Sequence, residues 1–412
     1  MIINDNEVIV DDALYNLKDF SKVHPGGAYI LNIFGGKDAT IHYYMIHHNH
    51  IKSKRNILEQ YKIKDIDNFG EDFYLVNSDK FMELKRRVKH AVPYSYANCE
   101  WYIKSIIIVI SLFYIEWHNI YYGFSFIKSV ILGYLMALVG LCIQHDANHG
   151  AISSNGYINM LWGFSQDWIG GSSLLWKHHH VLLHHAYTNI YEKDPDITTD
   201  IVRLHNSVKW YNIYKLQKIY VWPLLSLLPF NWHFKEILDL FYMNHMGEKI
   251  STLALHESYV GLIFRFFFII RFYILPIYIY PSIYTLLYIF ITLTFGGLYL
   301  GLNFIISHNF EGVKNISKDS SNSKIDWAIA QIETSSSVGG RLLGYFHGGL
   351  NYQIEHHLFP RISHVHYYKI KPIVQEWCKE NNIKYNYYNN IYDNIMSCYK
   401  HLHNYGNCEK LL

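Results

Sequence analysis

Charge is scarce and nearly balanced in this 412-residue chain: 36 Lys and Arg stand against 34 Asp and Glu, a net +2 with histidine neutral. That balance offers nothing to a polyanion, so no nucleic-acid partner is expected. Cysteine is scarce too. The five (Cys99, Cys142, Cys378, Cys398, Cys408) include no CxxC pair, and Cys142 sits within an apolar run. A disulfide framework and a thiolate metal site are both disfavoured, and a reducing compartment fits. No GxGxxG follows a strand-like run, so any nicotinamide chemistry must come from a partner. There is no HExxH, which argues against a zincin. Residues 1–7 lack a basic stretch leading into an apolar core, so no cleavable signal peptide is expected.

Histidine is what the chain has in excess. Random placement of its 26 His would give roughly 1.6 His-His neighbours, whereas five occur, at 47–48, 178–179, 179–180, 184–185 and 356–357. The densest stretch, Trp176 to Asn189, holds His178, His179, His180, His184 and His185. Three more sites join it: His145-Asp-Ala-Asn-His149, Ser307-His308, and Gln353-Ile-Glu-His356-His357. Imidazole is the commonest metal ligand and suits iron, zinc and copper. The i, i+4 spacing of His145 and His149 places both on one helix face.

Apolar runs supply the second theme. Residues 101–117 and 129–144 are each just short of a span, and flanking aromatics extend them. Residues 259–307 form a nearly continuous apolar stretch interrupted at Pro276 and Pro281, long enough for two helices with a tight connection near 278–282. About four membrane helices are therefore expected. Arg265 can snorkel to the interface, whereas Arg271 must pair or face protein. The two short connections carry only Lys128, while Lys85, Arg86, Arg87, the 190–255 loop and the C-terminal part lie on the other side. Positive-inside logic puts that second side in the cytosol, with both termini. All four histidine sites then converge on the cytosolic face, at helix ends. Ligands at helix ends favour an enzyme over a metal transporter, whose sites lie near the bilayer midplane. An imidazole-rich site able to hold two metals beside a bilayer suits oxidative chemistry on a lipid chain.

The N-terminal part reads as a small soluble unit. Glu7-Val-Ile-Val10 alternates like a strand, and His24-Pro25-Gly26-Gly27 marks a turn. The expected organisation is a unit at 1–65, a linker and basic membrane-flanking segment at 66–100, a membrane domain at 101–380, and a polar cytosolic tail at 381–412.

The order HxxxH, HxxxHH, QxxHH resembles the membrane fatty-acid desaturases, specifically the front-end group. The resemblance extends through Gln166-Asp-Trp168, Thr188-Asn189, Asp194-Pro-Asp196, Asn303-Phe-Ile-Ile-Ser-His308, Gln331-Ile-Glu-Thr-Ser335 and Gly348-Gly-Leu-Asn-Tyr-Gln-Ile-Glu-His-His-Leu-Phe-Pro360. It implies two non-haem Fe ions that activate O2 and remove two hydrogens from an acyl chain, on a polytopic all-α membrane fold. The ligands so implied are His145, His149, His180, His184, His185, His308, His356 and His357, with Gln353 where other desaturases carry His. His178 and His179 leave the first ligand of the second box open, with His180 favoured. Trp162, Trp176 and Tyr352 are candidate liners of the acyl path. His24-Pro-Gly-Gly27 with Asp38-Ala-Thr40 is similar to cytochrome b5, a small α+β fold. That implies haem b between His24 and either His47 or His48, with His47 favoured by the spacing in fused desaturases. NADH-cytochrome b5 reductase is then the implied electron donor. A fatty-acyl substrate, on CoA or phospholipid, and the endoplasmic reticulum bilayer complete the expectation. Alternatives are a sphingoid-base desaturase, hydroxylation or triple-bond formation at the same metals, and a non-enzymatic haem- or metal-binding membrane protein.

Overall fold

A computed structural model describes residues 3–47, 51–66, 73–316 and 324–407 of the chain. Its N-terminal unit is built on a four-stranded sheet in the order Lys37–Asp38, Glu7–Val10, Ala13–Asn16, Lys62–Asp65. Glu7–Val10 and Ala13–Asn16 pair antiparallel. Asp11, between them, takes φ 53°, a left-handed value that a short aspartate tolerates in a hairpin turn. Short helices close over the sheet, among them Leu17–Val23, capped by the Asn16 side chain on the Asp19 N–H at 3.0 Å.

Among the described residues, four helices are long and apolar enough to cross a membrane: Cys99–Tyr122, Phe126–Asn148, Thr252–Ile279 and Ile283–His308. All four begin at polar side-chain caps, Asn98, Ser125, Ser251 and Ser282, which satisfy N–H groups that lipid would leave bare. The second and fourth meet backbone to backbone. A Cβ on Gly133 would fall 2.3 Å from the Thr292 carbonyl oxygen, and one on Gly296 would fall 2.8 Å from that of Gly133. Small residues at such a crossing let packing substitute for the hydrophobic drive that lipid removes. This contact holds the His145 and His308 ends of two helices side by side, away from the short connections at 123–125 and 280–282.

Both arginines of the third spanning helix are paired. Arg271 bonds Glu116 of the first helix and the Trp168 carbonyl, with its guanidinium 4.2 Å from the Trp168 ring centroid. Arg265, expected to snorkel, is instead buried. It donates to the Gly170 and Trp232 carbonyls and pairs with Glu236 at 3.3 Å. Protein partners compensate its desolvation more fully than a reach to the interface would.

Two segments differ from expectation. The supposed linker contains helix Asp79–Ala91, which buries Phe81, Leu84 and Val88 against Trp327, Ile370 and Val374. Its basic run is amphipathic, and even Lys85 is buried, bonded to the Tyr44 carbonyl. The supposed polar tail contains helix Ile391–Asn407, which buries Cys398 and Leu402 among Val221, Ile305 and Ile306. In both, apolar residues at helical spacing outweigh a polar composition.

Two widened helical turns matter for the site. Val139–Gln144 and Lys177–His184 are π-helical, and each leads directly into a histidine cluster. Such turns insert an extra residue and rotate the side chains beyond it about the helix axis.

Candidate metal centre

The π-turn at Lys177–His184 decides how the densest histidine stretch is distributed. With i→i+5 bonding, the His185 N–H reaches the His180 carbonyl. His180 and His185 then face one another, their Nε2 atoms 3.1 Å apart. His178 and His179 are turned away. His178 lies 6.1 Å from His245 between ring centroids, and His179 bonds Asp196 at 2.7 Å.

The remaining imidazoles gather into two groups. His145, His149, His180 and His356 form one, and His184, His308 and His357 the other, with the potential ligand atoms of each within 4.8 Å of one another. His185 stands between the groups, its Nε2 3.0 Å from His356 Nε2 and its ring stacked 4.3 Å from His357. Gln353 joins the second group, its Nε2 2.9 Å from His308 Nε2 and 3.1 Å from His357 Nε2. All eight histidines and Gln353 are buried. Both ring nitrogens of His145, Nε2 of His149 and Oε1 of Gln353 have no hydrogen-bond partner in that interior. Buried imidazoles converging with orphaned nitrogens are poorly satisfied as a hydrogen-bonded core and well suited to metal.

A second layer orients these rings. His184 Nδ1 meets Asp194 Oδ1 at 3.0 Å and Asp196 Oδ2 at 3.2 Å. His308 Nδ1 donates to the Thr334 carbonyl at 3.0 Å. His357 Nδ1 donates to Gln331 Oε1 at 2.8 Å, and His356 Nδ1 lies 3.0 Å from the Tyr367 hydroxyl. Holding Nδ1 in this way leaves Nε2 free to bind a metal. Asp146 bonds His364 Nδ1 at 2.9 Å and the Ser363 hydroxyl at 2.7 Å, tying the first box to the segment after the third.

Burial, reinforced by neighbouring imidazoles, pushes His149, His180, His185, His356 and His357 well below the usual histidine range, into the neutral form that ligates metal. His184 is the exception. Burial alone would lower it, but the Asp194 and Asp196 carboxylates outweigh that and raise it to about 9.

A cavity of about 720 Å³ runs past these groups, lined on one side by His145, His180, His184, His308 and Gln353. Its far end lies between the second and fourth spanning helices, at Gly133, Met136, Thr292, Leu293 and Gly296. Its other end is polar, at Lys235, Asp239, Asn244 and His245. Trp176 lines it. Trp162 packs on Trp101 at 5.3 Å instead, and Tyr352 belongs to another cluster, so neither lines this cavity.

A second cavity opens in the N-terminal unit. His24 and His47 face each other across it with ring centroids 6.3 Å apart. Imidazoles on opposite sides of one metal stand roughly that far apart, given metal–nitrogen bonds of about 2 Å. His48 lies outside the described residues. The walls are apolar, from Val8, Leu17, Phe20, Ile30, Phe34 and Leu58, and one wall includes His149.

That shared wall exists because the two units dock through buried polar contacts. Lys177 Nζ donates to the Tyr29 carbonyl at 2.8 Å and pairs with Glu257 at 2.7 Å. Tyr29 Oη donates to Asn148 Oδ1 at 2.9 Å, and His42 Nε2 meets the Leu182 and Val181 carbonyls at 2.9 and 3.1 Å. Gly27 and Gly156 approach at backbone distance, a Cβ on Gly156 falling 2.4 Å from the Gly26 carbonyl oxygen. Sequence reasoning missed this interface and most of the orienting layer. Asp146, Tyr367, Lys177 and Glu257 carry no local pattern, though buried charges beside His boxes are a usable signal.

Comparison with known proteins supplies the last observation. Residues 121–389 match the family described as Fatty acid desaturase, and residues 4–67 match the Cytochrome b5-like Heme/Steroid binding domain. An "Acyl-lipid (7-3)-desaturase" of Rebecca salina is 37% identical over 97% of this chain and 90% of its own length. One of the same name from Diacronema lutheri is 36% identical with the same coverage. A "Probable Delta(5) fatty acid desaturase C" of Dictyostelium discoideum is 30% identical over 98% of this chain and 92% of its own. These names do not favour the sphingoid-base alternative.

Proposed function

The chain belongs to the fatty acid desaturase family, and from that membership we propose that it is a front-end acyl-lipid desaturase. It would introduce a double bond on the carboxyl side of existing ones in a polyunsaturated chain. The observation that carries this reading is the long cavity, apolar between two spanning helices, that passes two buried imidazole groups and ends at a polar mouth.

His145, His149, His180 and His356 would hold one iron and His184, His308 and His357 the other, with His185 between the two groups and Gln353 beside the second. Bound there, two non-haem Fe ions supply O2 activation and the removal of two hydrogens from an unactivated acyl chain. The chain's own residues do the rest. Asp194, Thr334, Gln331 and Tyr367 fix the ring orientations, and the closed helix crossing at Gly133 and Gly296 excludes water from the deep end. Lys235, Asn244 and His245 form the polar mouth where a lipid headgroup would lie, which favours a phospholipid-bound substrate over a free acid.

His24 and His47 would hold haem b, which between two imidazoles would supply electron transfer and not O2 binding. Electrons come from NADH-cytochrome b5 reductase, since no nicotinamide fingerprint is present. The metal-bearing face and both termini lie in the cytosol on the endoplasmic reticulum membrane. Expression in a host lacking polyunsaturated lipids, with defined fatty acids fed and double bonds located by mass spectrometry, tests the reading. A new double bond on the carboxyl side of those supplied is expected. Its absence with every acyl substrate tried, in a preparation retaining iron, would overturn it.

A further inference from the structure

We propose that Arg361 reaches across the boundary between the two units and binds a carboxylate of the haem, so that the desaturase domain completes the haem site. The proposal rests on the haem reading above. Arg361 directly follows Leu358-Phe359-Pro360, the end of the third histidine box, yet it lines the cavity that contains His24 and His47. Its Nη2 lies 3.6 Å from where a Cβ on Gly26 would sit, and its Nε lies 3.8 Å from where one on Gly150 would sit. The guanidinium therefore occupies the seam between the His-Pro-Gly-Gly loop and the end of the first histidine box.

What that guanidinium lacks is an anion. Its Nε is buried without a hydrogen-bond partner, and among the described residues it forms no ion pair. Among the described residues no Asp or Glu lines the cavity, whose walls are apolar apart from histidines, Tyr43 and Tyr96. A guanidinium keeps its charge at any accessible pH, and although Arg361 as a whole is half-buried, the Nε it turns into the interior is left unsatisfied there, at a cost. An occupant that brings a negative charge relieves that cost. Haem is a flat apolar macrocycle with two carboxylates, and the planar fork of arginine matches a carboxylate through paired N–H donors. The buried contacts of Lys177, Tyr29 and His42 keep Arg361 at this seam. One side chain next to the third box would thus report on, and stabilise, haem in the neighbouring unit.

The test uses the full chain in nanodiscs, loaded with haem or with haem dimethyl ester, whose carboxylates are blocked. Haem loss to excess apomyoglobin and the reduction potential are measured for the wild type, Arg361→Gln and Arg361→Lys. With haem, Arg361→Gln is expected to lose the group about tenfold faster, the scale of one charge-assisted hydrogen bond, and to titrate at a lower potential because a nearby cation is gone. Arg361→Lys should fall between. With the dimethyl ester, all three should lose the group at the same rate. A normal bis-imidazole spectrum in Arg361→Gln, with loss rate and potential unchanged, overturns this proposal and leaves the haem reading intact. A difference in loss rate that persists with the ester overturns it as well. A wild-type chain with no bis-imidazole spectrum overturns both.

Discussion

The amide nitrogen of Gln353 lies 2.9 Å from Nε2 of His308, and this places the only non-imidazole member of the second group against a proposed metal ligand. Its oxygen has no hydrogen-bond partner among the described residues, and turning the amide half a turn would present that oxygen to a metal in exchange for the amide contacts to His308 and His357. Gln353→His should keep two irons per chain, because it supplies a better donor in the same place. Gln353→Leu should weaken the second iron by about 10–100-fold, the scale seen when metal-site partners are removed. Metal analysis after dialysis, beside product yield, distinguishes the two variants. Equal iron retention in both would remove Gln353 from the site.

His42 predicts a pH dependence. It is buried at the interface with the second box, and burial, only partly offset by bonds to the Leu182 and Val181 carbonyls, lowers it from 6.5 to about 4. Its folded pKa lies below its unfolded one, so the unfolded chain binds the extra proton first. The stabilisation is therefore complete above about pH 6.5 and is lost as pH falls through 4. Over that window it amounts to about 3 kcal/mol at one pKa unit per 1.36 kcal/mol. Other groups titrate as well, so the quantity to measure is the difference in unfolding free energy between wild type and His42→Gln. That difference should shrink on acidification, and a constant difference would refute the assignment.

Much of this site is legible in the sequence, because metal ligands obey local spacing and sit at helix ends. His145 and His149 follow the i, i+4 rule, and His356 and His357 follow Gln353 on one short helix. The open choice among His178, His179 and His180 had a physical reason. Ordinary helical periodicity cannot predict a π-turn, and that turn is what brings His180, and not its neighbours, into the cluster. The four spanning helices were legible from length and hydropathy. The docking of the N-terminal unit was not, because Lys177–Glu257 and Tyr29–Asn148 join residues far apart in sequence. Helices Asp79–Ala91 and Ile391–Asn407 were masked by charge on their outer faces.

Asp194 should act through His184. Its carboxylate is 3.0 Å from His184 Nδ1 and fully buried, and it also accepts the Asn189 N–H at 2.7 Å. Asp194→Asn keeps the shape while removing the charge that aligns the ring. Activity should fall by about 10–100-fold, with the iron bound by the first group unchanged. Loss of both irons would point to a general folding defect instead.

Glu116 and Arg271 form an ion pair between the first and third spanning helices. Glu116→Gln leaves Arg271 without its counter-charge and should destabilise the chain by up to about 3 kcal/mol, the low end for a fully buried pair, because this one is half-buried. Replacing both, with Glu116→Leu and Arg271→Leu, should cost less than Glu116→Gln alone, because no charge is then stranded. Melting temperatures in one detergent provide the comparison. A double variant less stable than the single one would mean that the Arg271 stacking on Trp168 outweighs the ion pair.

The depth of the cavity sets which acyl chains fit. Along the second spanning helix, Met136 stands nine residues and Gly133 twelve residues before His145, so at 1.5 Å per residue the cavity reaches roughly 13 to 18 Å below the imidazoles. The methyl end of a substrate would occupy that reach, while its position relative to the metals is fixed from the polar mouth. Met136→Trp fills the deep end without touching a histidine. Long chains then cannot seat fully, whereas shorter ones still place the same carbons beside the metals. Each methylene accommodated in an apolar pocket is worth at least about tenfold in kcat/KM, so preference should swing toward shorter acyl chains by that factor or more. The position of the new double bond, counted from the carboxyl end, should not move. If Met136→Trp shifted the double bond instead, the substrate would be measured from its methyl end, and the polar mouth would have to give up its role in placing the carboxyl group.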